Sequence, residues 1–259
     1  MNDASDPAGH PSGPLTLAID IGGTRLKASV LAVTGRMIEQ PNRTDTPHPA
    51  KPDAVVALLV ELVKPLGAFD RISVGFPGVV RRGRVLTAPN LGTADWHGCP
   101  LTDLLSQKLG KPARMMNDAT VQGLGVISGR GLECVITLGT GMGFALFDRG
   151  YPAPHLELSQ HPVHKDLTYD HWIGDAAMRT AGVKAWNKRV RKAIGYIDTL
   201  VNYDTLAIGG GNAKRLDFDL PQRVRTVSND AGITGGIRLW DPVLDPLFEA
   251  DDAMALRDT

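Results

Sequence analysis

The sequence predicts an α/β protein of two lobes with related topology and a cleft between them. The order of predicted elements is the first observation, because a hairpin, further strands and helices occur once in each half of the chain. The second is a set of three glycine-rich segments, each following a short apolar run rich in β-branched residues. These segments are residues 20–24, 138–143 and 208–211.

Length, charge and cysteine content exclude several classes of function. The 259 residues carry 28 Lys and Arg against 28 Asp and Glu, so no net field favours nucleic acid or an anionic membrane. No apolar run approaches the ~20 residues that span a bilayer. Cys99 and Cys134 form neither a disulfide framework nor a cysteine zinc site, so we expect a cytoplasmic protein without structural zinc.

The N-terminal lobe is predicted to cover residues 15–117, after a polar, disordered tail at residues 1–14. Its helices are predicted from residues 55 to 66 and from 101 to 109, the second ending at Gly110. Residues 41–52 are rich in proline and indicate a surface loop. The predicted strands are residues 15–21, 26–33, 37–40, 71–76, 84–88 and 113–116.

The C-terminal lobe is predicted to cover residues 118–259. A glycine turn joins two of its strands into a second hairpin. A final helix over residues 229–241 is expected to pack back on the N-terminal lobe. The predicted helices before it are residues 119–127, 170–180 and 184–201, and the strands are residues 134–138, 144–147, 205–208 and 224–227.

The first glycine turn suits a phosphate. Gly22 and Gly23 have no side chain and Thr24 follows, so successive N–H groups can converge on an anion. Asp20 ends the preceding apolar strand, where a carboxylate is costly unless it is paired or solvated. It would help hold Mg²⁺ through water, since hard cations prefer oxygen ligands. A tight hairpin with an Asx turn is the alternative for the same residues.

Asn117 and Asp118 lie where a strand gives way to a helix. Asp118 could cap the helix through the N–H groups of its first turn. It could also act as general base toward a substrate hydroxyl, because a residue at that junction points into the cleft. If phosphoryl transfer is loose, the hydroxyl becomes acidic only as the O–P bond forms, and the carboxylate mainly orients it beforehand. We favour the catalytic interpretation.

The second and third glycine turns repeat the phosphate-binding chemistry. Thr140 can offer its hydroxyl and its N–H, and the glycines beside it permit close approach. The third turn leads into Lys214 and Arg215, so an anion there would meet cations. A helix entrance with solvated charges is the alternative for the third turn. The predicted phosphate-binding residues are Gly139, Thr140, Gly141, Gly209, Gly210 and Gly211.

A polar segment lies between these two turns. Its side chains suit a polyhydroxylated substrate, which needs several fixed donors and acceptors. The spacing of His161 and His164 is also compatible with a metal site, but Pro162 disrupts any helix that would align them. The residues of this segment that carry the prediction are His155, Glu157, Gln160, His161 and His164.

Taken in order, these segments resemble the ROK group of sugar kinases in the actin-like hexokinase superfamily, most closely its polyphosphate glucokinase branch. The resemblance covers residues 15–239 and implies the two-lobed actin-like ATPase or ribonuclease H-like fold with a central cleft. Its motifs are residues 20–24 with Lys27, 76–80, 89–91 with Trp96 and Gly98, 117–119, 138–143, Glu157, 208–211 and 229–233.

The resemblance also implies a reaction. A phosphoryl group would pass from polyphosphate or ATP to a hexose hydroxyl, at O6, with Mg²⁺ present and Asp118 as general base. Asn90, Asn117 and Glu157 would hold sugar hydroxyls. The glycine turns at residues 22–24 and 139–141, with Lys27, would embrace the donor. A homodimer is implied by the family likeness alone.

Two features of the sequence depart from the family pattern and leave the identity of the sugar open. Most ROK kinases continue from the glutamate as Leu/Phe-Gly-His, whereas this chain has Leu-Ser-Gln-His after Glu157. Either Gln160 takes the place of the histidine or His161 reaches in through a shifted loop. We expect neither the cysteine-rich zinc loop nor the DNA-binding extension of other ROK members in this protein. The alternatives are an ATP-dependent kinase of an amino or N-acetyl hexose, and a catalytically weak sugar or phosphate sensor.

Overall fold

Two mixed five-stranded sheets form the framework of the protein. The computed structural model describes residues 13–228 and 230–249, so residues 1–12 of the predicted tail, residue 229 and residues 250–259 of the predicted C-terminal lobe lie outside the described residues. One sheet comes from residues 16–117 and the other from residues 132–226. Within the described ranges, no helix combines the length and the apolar character that a membrane span requires.

The first half of the described chain contains seven strands and three helices. The strands are β1 (Thr16–Ile21), β2 (Arg25–Leu31), β3 (Asn42–Asp45), β4 (Arg71–Phe76), β5 (Val80–Arg81), β6 (Arg84–Val85) and β7 (Ala113–Asn117). The helices are α1 (Pro52–Val63), α2 (Thr93–Trp96) and α3 (Leu101–Leu109).

The second half begins with a helix that follows β7 directly. Its helices are α4 (Asp118–Leu124), α5 (Tyr169–Ile173), α6 (Asp175–Ala181), α7 (Val183–Val201) and α8 (Ala231–Thr234). The strands are β8 (Leu132–Leu138), β9 (Met142–Asp148), β10 (Tyr151–Pro152), β11 (Pro162–His164), β12 (Leu167–Thr168), β13 (Thr205–Gly209) and β14 (Val224–Thr226). The 3₁₀ helices are Leu158–Gln160, Ala213–Arg215, Gly235–Trp240 and Pro242–Leu247.

The two sheets share a plan. The order of the first is β3-β2-β1-β4-β7, with β1 antiparallel to β2 and parallel to β4. The order of the second is β10-β9-β8-β13-β14, with β8 antiparallel to β9 and parallel to β13. The carboxyl ends of parallel strands meet at one edge of a sheet, where α/β proteins bind their ligands. The segments after β1, β4 and β7 therefore share an edge, as do those after β8 and β13.

Apolar packing covers both sheets. The first sheet packs against α1 and α3 around Leu59, Phe76 and Leu105. The second packs on one face against α5 and α7, with Trp186 and Ile194 buried between them. Its other face covers α4, whose Gly123 lies against the ring of Phe147. Both glycine hairpins are thus mounted on buried strands.

The third strand of the first sheet lies later in the chain than the sequence predicts. Met37 forms only an isolated bridge with Leu31, whereas β3 at residues 42–45 pairs with β2 along its length. These residues fall in the segment predicted as a proline-rich loop. Polar, half-exposed Asn42–Asp45 is suited to an edge strand, which needs little apolar surface to complete its hydrogen bonds.

The closing segment is shorter as an α-helix than the predicted 229–241. It consists of α8 and the 3₁₀ turn Gly235–Trp240, and it lies against the first sheet. Ser73 Oγ donates a 2.7 Å hydrogen bond to the carbonyl of Gly236, and Trp240 Nε1 donates to Ser73 Oγ at 3.0 Å. Ile233 joins Ala18 in an apolar cluster on the same face. The chain therefore returns to the N-terminal sheet before residue 241.

Candidate active site

The carboxyl-end edges of the two sheets line one open cleft of about 1000 Å³. Most residues predicted as site residues lie on its walls. They are Asp20, Gly22, Gly23, Lys27, Asn90, Asn117, Asp118, Gly139, Thr140, Gly141, Glu157, Gly210 and Gly211. Thr24, Gln160, His161 and Gly209 do not line it.

Asn117, rather than Asp118, caps helix α4. Its Oδ1 accepts from the N–H groups of Ala119 at 2.9 Å and Thr120 at 3.2 Å. Its Nδ2 donates to the carbonyls of Phe76 at 3.4 Å and Gly78 at 3.2 Å. An amide has two donors and two acceptor lone pairs, so these bonds use all of them. Asn117 therefore fixes the start of α4 and also lines the cleft, and its contact with a sugar stays a prediction.

Asp118 is the first residue of α4 and faces the cleft. Its Oδ1 accepts a 2.8 Å hydrogen bond from Ala119 N–H, which fixes the side chain. Burial, together with the negative charges of Asp20 and Glu157, raises the pKa of Asp118 from 3.8 to about 7. A carboxyl group with that pKa can accept a proton near neutral pH.

The first glycine turn presents Asp20 beside its backbone. Lys27 Nζ donates to Asp20 Oδ2 at 2.7 Å, and both side chains are mostly buried. The Oδ1 atom of Asp20 makes no hydrogen bond to any residue that the structure describes, so it can accept from a water. Mg²⁺ sites use one or two carboxylates plus substrate phosphates, and this donor set fits such an ion. Within the described part of the chain, no cluster of three His, Cys, Asp or Glu side chains could hold a metal without a substrate.

The second and third glycine turns pack against each other in the C-terminal lobe. Gly210 has φ +85°, and a Cβ there would overlap the backbone of Leu138. Asn212 N–H donates to Leu138 O at 2.9 Å, which ties the third turn to the second. Gly209 ends β13 beneath Gln122, where a Cβ would overlap the side-chain amide. Gly210 and Gly211 thus border the cleft, whereas Gly209 supports them from below.

Helix α5 supports the second turn from the side. Asp170 Oδ1 accepts a 2.7 Å hydrogen bond from Met142 N–H, and Asp175 N–H donates to Gly139 O at 3.0 Å. Gly174 has an extended backbone and breaks the predicted helix 170–180 between α5 and α6. The second turn packs closely there, since a Cβ on Gly174 would come 2.5 Å from the carbonyl oxygen of Thr140. Asp170 was not predicted as a site residue, because its only signal in the sequence was its place at the start of a predicted helix.

Glu157 and His155 form the polar wall opposite the first turn. The side chain of His155 is 9 % exposed, and its Nε2 lies 3.7 Å from Glu157 Oε2. Both ring nitrogens of His155 and Glu157 Oε2 are buried without a hydrogen-bond partner among the described residues. Glu157 Oε1 accepts from Ser159 Oγ at 2.6 Å. Buried polar atoms without partners are rare and point to a missing ligand.

The pKa of Glu157 follows from these neighbours. Burial alone would raise it, but His155 and the hydroxyls of Ser159 and Thr87 stabilise the charged form and hold the pKa below its ordinary value. Glu157 is therefore an acceptor at neutral pH.

Neither of the two residues expected to replace the family histidine reaches the cleft. Gln160 Nε2 donates to Asp170 Oδ2 and to Ser159 Oγ, both at 3.0 Å, so it supports the wall from behind. His161 is exposed. His155, one of the polar side chains predicted to suit a polyhydroxylated substrate, borders the cleft. Only the folding of the irregular loop could show which histidine turns inward.

Comparison with known proteins identifies the family. The family model described as "ROK family" matches residues 16–152, which include β1, the first glycine turn, Asp118 and the second hairpin. The chain belongs to the ROK family. The resemblance predicted from the sequence is thereby confirmed.

Similar ROK proteins extend the match over most of the chain. The polyphosphate glucokinase of Mycobacterium leprae is 29 % identical over 257 residues, covering 89 % of this chain and 76 % of that protein. The crystal structure of the inorganic polyphosphate/ATP-glucomannokinase from Arthrobacter sp. strain KM superposes with a TM-score of 0.79 at 27 % identity, over 87 % of this chain and 97 % of that one.

A third ROK relative matches in fold alone. The glucokinase from Streptomyces griseus, crystallised with glucose and AMPPNP, has a TM-score of 0.73 at 20 % identity, covering 87 % of this chain and 98 % of that one. The fold class predicted from the sequence, an α/β protein of the actin-like type, is confirmed by these structures.

Proposed function

We propose that this chain is a sugar kinase that transfers a phosphoryl group from polyphosphate or ATP to the 6-hydroxyl of a glucose-like hexose. One observation carries the proposal: Asp118, with a pKa of about 7, and two glycine hairpins from different sheets line the same cleft. Similar proteins named polyphosphate glucokinase and polyphosphate/ATP-glucomannokinase support both the acceptor and the donor.

Asp118 is the general base in this proposal. Its ionised carboxylate accepts a hydrogen bond from the sugar hydroxyl and orients the oxygen toward the phosphorus atom. As the new O–P bond forms, the bond from phosphorus to the bridging oxygen of the donor breaks. The hydroxyl proton passes to the carboxylate, and the shortened donor leaves with the electron pair of the broken bond. Asn117 holds the start of α4, so the carboxylate is already placed.

The acceptor sugar lies against His155, Glu157 and Asn90. Glu157 Oε2 accepts from one hydroxyl and His155 bonds a neighbouring one, which gives partners to the buried atoms that lack them. Asn90 stands on the other side of the cleft, next to Gly23. A sugar supplies hydroxyls on adjacent carbons and so matches two groups 3.7 Å apart.

The donor lies against the glycine turns of both lobes. The N–H groups of Gly23 and Thr140 border the transferring phosphoryl group, and Lys27 adds positive charge, whereas the Gly22 N–H closes the hairpin on Arg25 O at 2.9 Å. Asp20 would hold Mg²⁺ through water, and that ion would neutralise developing charge on the phosphate oxygens. From the resemblance to ROK kinases we also propose that the protein acts as a cytoplasmic homodimer.

A donor-by-acceptor panel tests the function. Purified protein is incubated with glucose, mannose, glucosamine or N-acetylmannosamine, and with either ATP or polyphosphate, and hexose phosphate is measured. The proposal predicts a glucose 6-phosphate product. Product with an N-acetyl or amino hexose alone would contradict the substrate. Thermal stabilisation by sugar without product from any donor would indicate a sensor and contradict the activity.

A further inference from the structure

Helix α7 carries an unusual concentration of positive charge. Its first fifteen residues contain five basic side chains and no acidic one, and the first acid is Asp198. Trp186, Val190 and Ile194 fill its buried face, so the charges lie outside. Because the whole chain has equal numbers of basic and acidic residues, this surface is locally positive on a neutral protein. The five residues are Lys184, Lys188, Arg189, Arg191 and Lys192.

Part of this helix forms one wall of a groove. The hairpin β11–β12 forms the other wall, and Trp172 of α5 lies between them, with the ring of His164 stacked on it at 5.5 Å. The groove is open to solvent. We call it the basic groove, and its lining residues are His164, Lys165, Leu167, Trp172, Lys188, Arg189 and Lys192.

Of the cations in the basic groove, Arg189 is fixed by a backbone carbonyl, and the lysines have no carboxylate partner among the described residues. Arg189 Nη1 donates to the carbonyl of Trp172 at 3.2 Å, which fixes α7 on α5. Among residues 13–228 and 230–249, no carboxylate lies within ion-pair distance of Lys165, Lys188 or Lys192. Asp166, which is exposed in the hairpin turn, is the acidic residue adjacent in the chain. A ligand with several negative charges would gain from all four cationic side chains.

The basic groove lies one helix away from the donor site. Asp170 lines the cleft and Trp172 lines the groove, although both belong to α5. Residues two apart point to opposite sides of a helix whose diameter is about 10 Å. The same helix holds the second glycine turn through the Asp170 bond to Met142 N–H. The cleft and the basic groove therefore lie on two sides of the same short helix.

We propose that the basic groove binds the distal phosphates of an inorganic polyphosphate chain whose reacting end lies at the glycine turns. The inference rests on the proposed kinase function and decides between its donors. The three phosphates of ATP are used up at the turns, and its nucleoside carries no anion to place in the groove. A long polyphosphate has one negative charge or more per unit and extends to it. Lysines suit such a flexible ligand, because they act as mobile point charges without a fixed bidentate geometry.

The experiment compares K188A/K192A with K64A/K108A. The second pair removes one exposed lysine at the end of α1 and one in the last turn of α3. Both lie in the N-terminal lobe, away from the basic groove, so this variant controls for the loss of net charge. KM is measured for long-chain polyphosphate, tripolyphosphate and ATP at two salt concentrations. Binding of long-chain polyphosphate is measured separately by ultrafiltration, which does not require turnover.

In K188A/K192A we expect the KM for long-chain polyphosphate to rise roughly threefold to tenfold. A change of this size corresponds to the loss of two solvent-exposed ion pairs. In a plot of the logarithm of the binding constant against the logarithm of the salt concentration, the slope should become shallower by about two, because each lysine removed leaves one phosphate unpaired. The KM values for ATP and tripolyphosphate, and kcat, should stay within about twofold. K64A/K108A should behave as the unmodified protein.

Three results would overturn the inference: an unchanged KM for long-chain polyphosphate, an equal rise in the KM for ATP, or binding of poly(U) as tight as that of polyphosphate. The last would indicate an unselective polyanion surface. Failure of the proposed function looks different. It would show as no hexose phosphate from any donor, while the ultrafiltration measurement would still decide what the groove binds.

Discussion

The hydroxyl oxygens of Thr24 and Thr140 lie 3.1 Å apart, although 116 positions separate these residues in the chain. Thr24 belongs to the glycine turn of the first sheet and Thr140 to that of the second. The two hairpins therefore meet at the cleft, and a phosphate between them would contact both lobes. A donor that binds there joins the lobes and favours their closure over the sugar, which excludes water from the transfer.

Removing one hydroxyl tests the role of this contact. Thr24→Val keeps the shape of the side chain but cannot bond Thr140 or a phosphate. Loss of one or two hydrogen bonds should raise the KM for either donor roughly threefold to tenfold. The KM for sugar should not change, because the sugar wall is elsewhere. Thr24→Ser, which retains the hydroxyl, should restore the donor KM; a failure of this rescue would indicate that the methyl group matters instead.

The sugar wall can be tested with three variants of one loop. Glu157→Ala removes a charged acceptor and should raise the sugar KM by roughly 10- to 100-fold. His155→Ala removes one hydrogen-bonding group and should raise the sugar KM roughly threefold to tenfold. His161→Ala is the matched control, because that histidine is exposed and does not line the cleft. A larger effect at His161 than at His155 would show that the loop turns the other histidine inward when sugar binds.

The raised pKa of Asp118 predicts how activity depends on pH. The base must be ionised, so kcat/KM for the sugar should rise about tenfold per pH unit below 7 and level off above it. The profile should keep this shape with ATP and with polyphosphate, because the base acts on the acceptor. A flat profile from pH 5 to 8 would contradict the assignment of the ionisation to Asp118.

The same shift predicts a change in stability. A carboxyl group whose pKa is raised from 3.8 to about 7 on folding favours the folded state when protonated, and this advantage is lost as the pH rises toward 7. Asp118→Asn is neutral at every pH. It should therefore be more stable than the unmodified protein. This difference in the free energy of unfolding should be about 1–3 kcal/mol larger at pH 8 than at pH 5. Thermal unfolding of both proteins at the two pH values measures this, and an equal difference at both would contradict it.

Local patterns predicted the strands that carry the site. The apolar runs before the glycine turns became β1, β8 and β13, and the helix ending at Gly110 was confirmed because Gly110 adopts the left-handed C-cap conformation. These features are decided by nearest neighbours along the chain. The sequence alone therefore placed the glycine turns and Asp118 correctly at the ends of strands.

Features that depend on distant contacts were not predictable from local patterns. The break at Gly174 exists because the second glycine turn packs there, and Asn117 caps α4 while donating to the carbonyls of Phe76, at the end of β4, and Gly78, just beyond it. The inward position of His155 depends on how an irregular loop folds over the cleft. The basic groove likewise needs α5, α7 and β11–β12 to be assembled before its charges become neighbours.

In the proposed reaction, Asp118 moves the proton of the sugar hydroxyl while taking little part in holding the sugar. Asp118→Asn preserves the size of the side chain and removes the base. Turnover with the better donor should fall by at least ~100-fold, while glucose binding measured by calorimetry without donor should stay within about threefold. Turnover close to that of the unmodified protein would contradict the account.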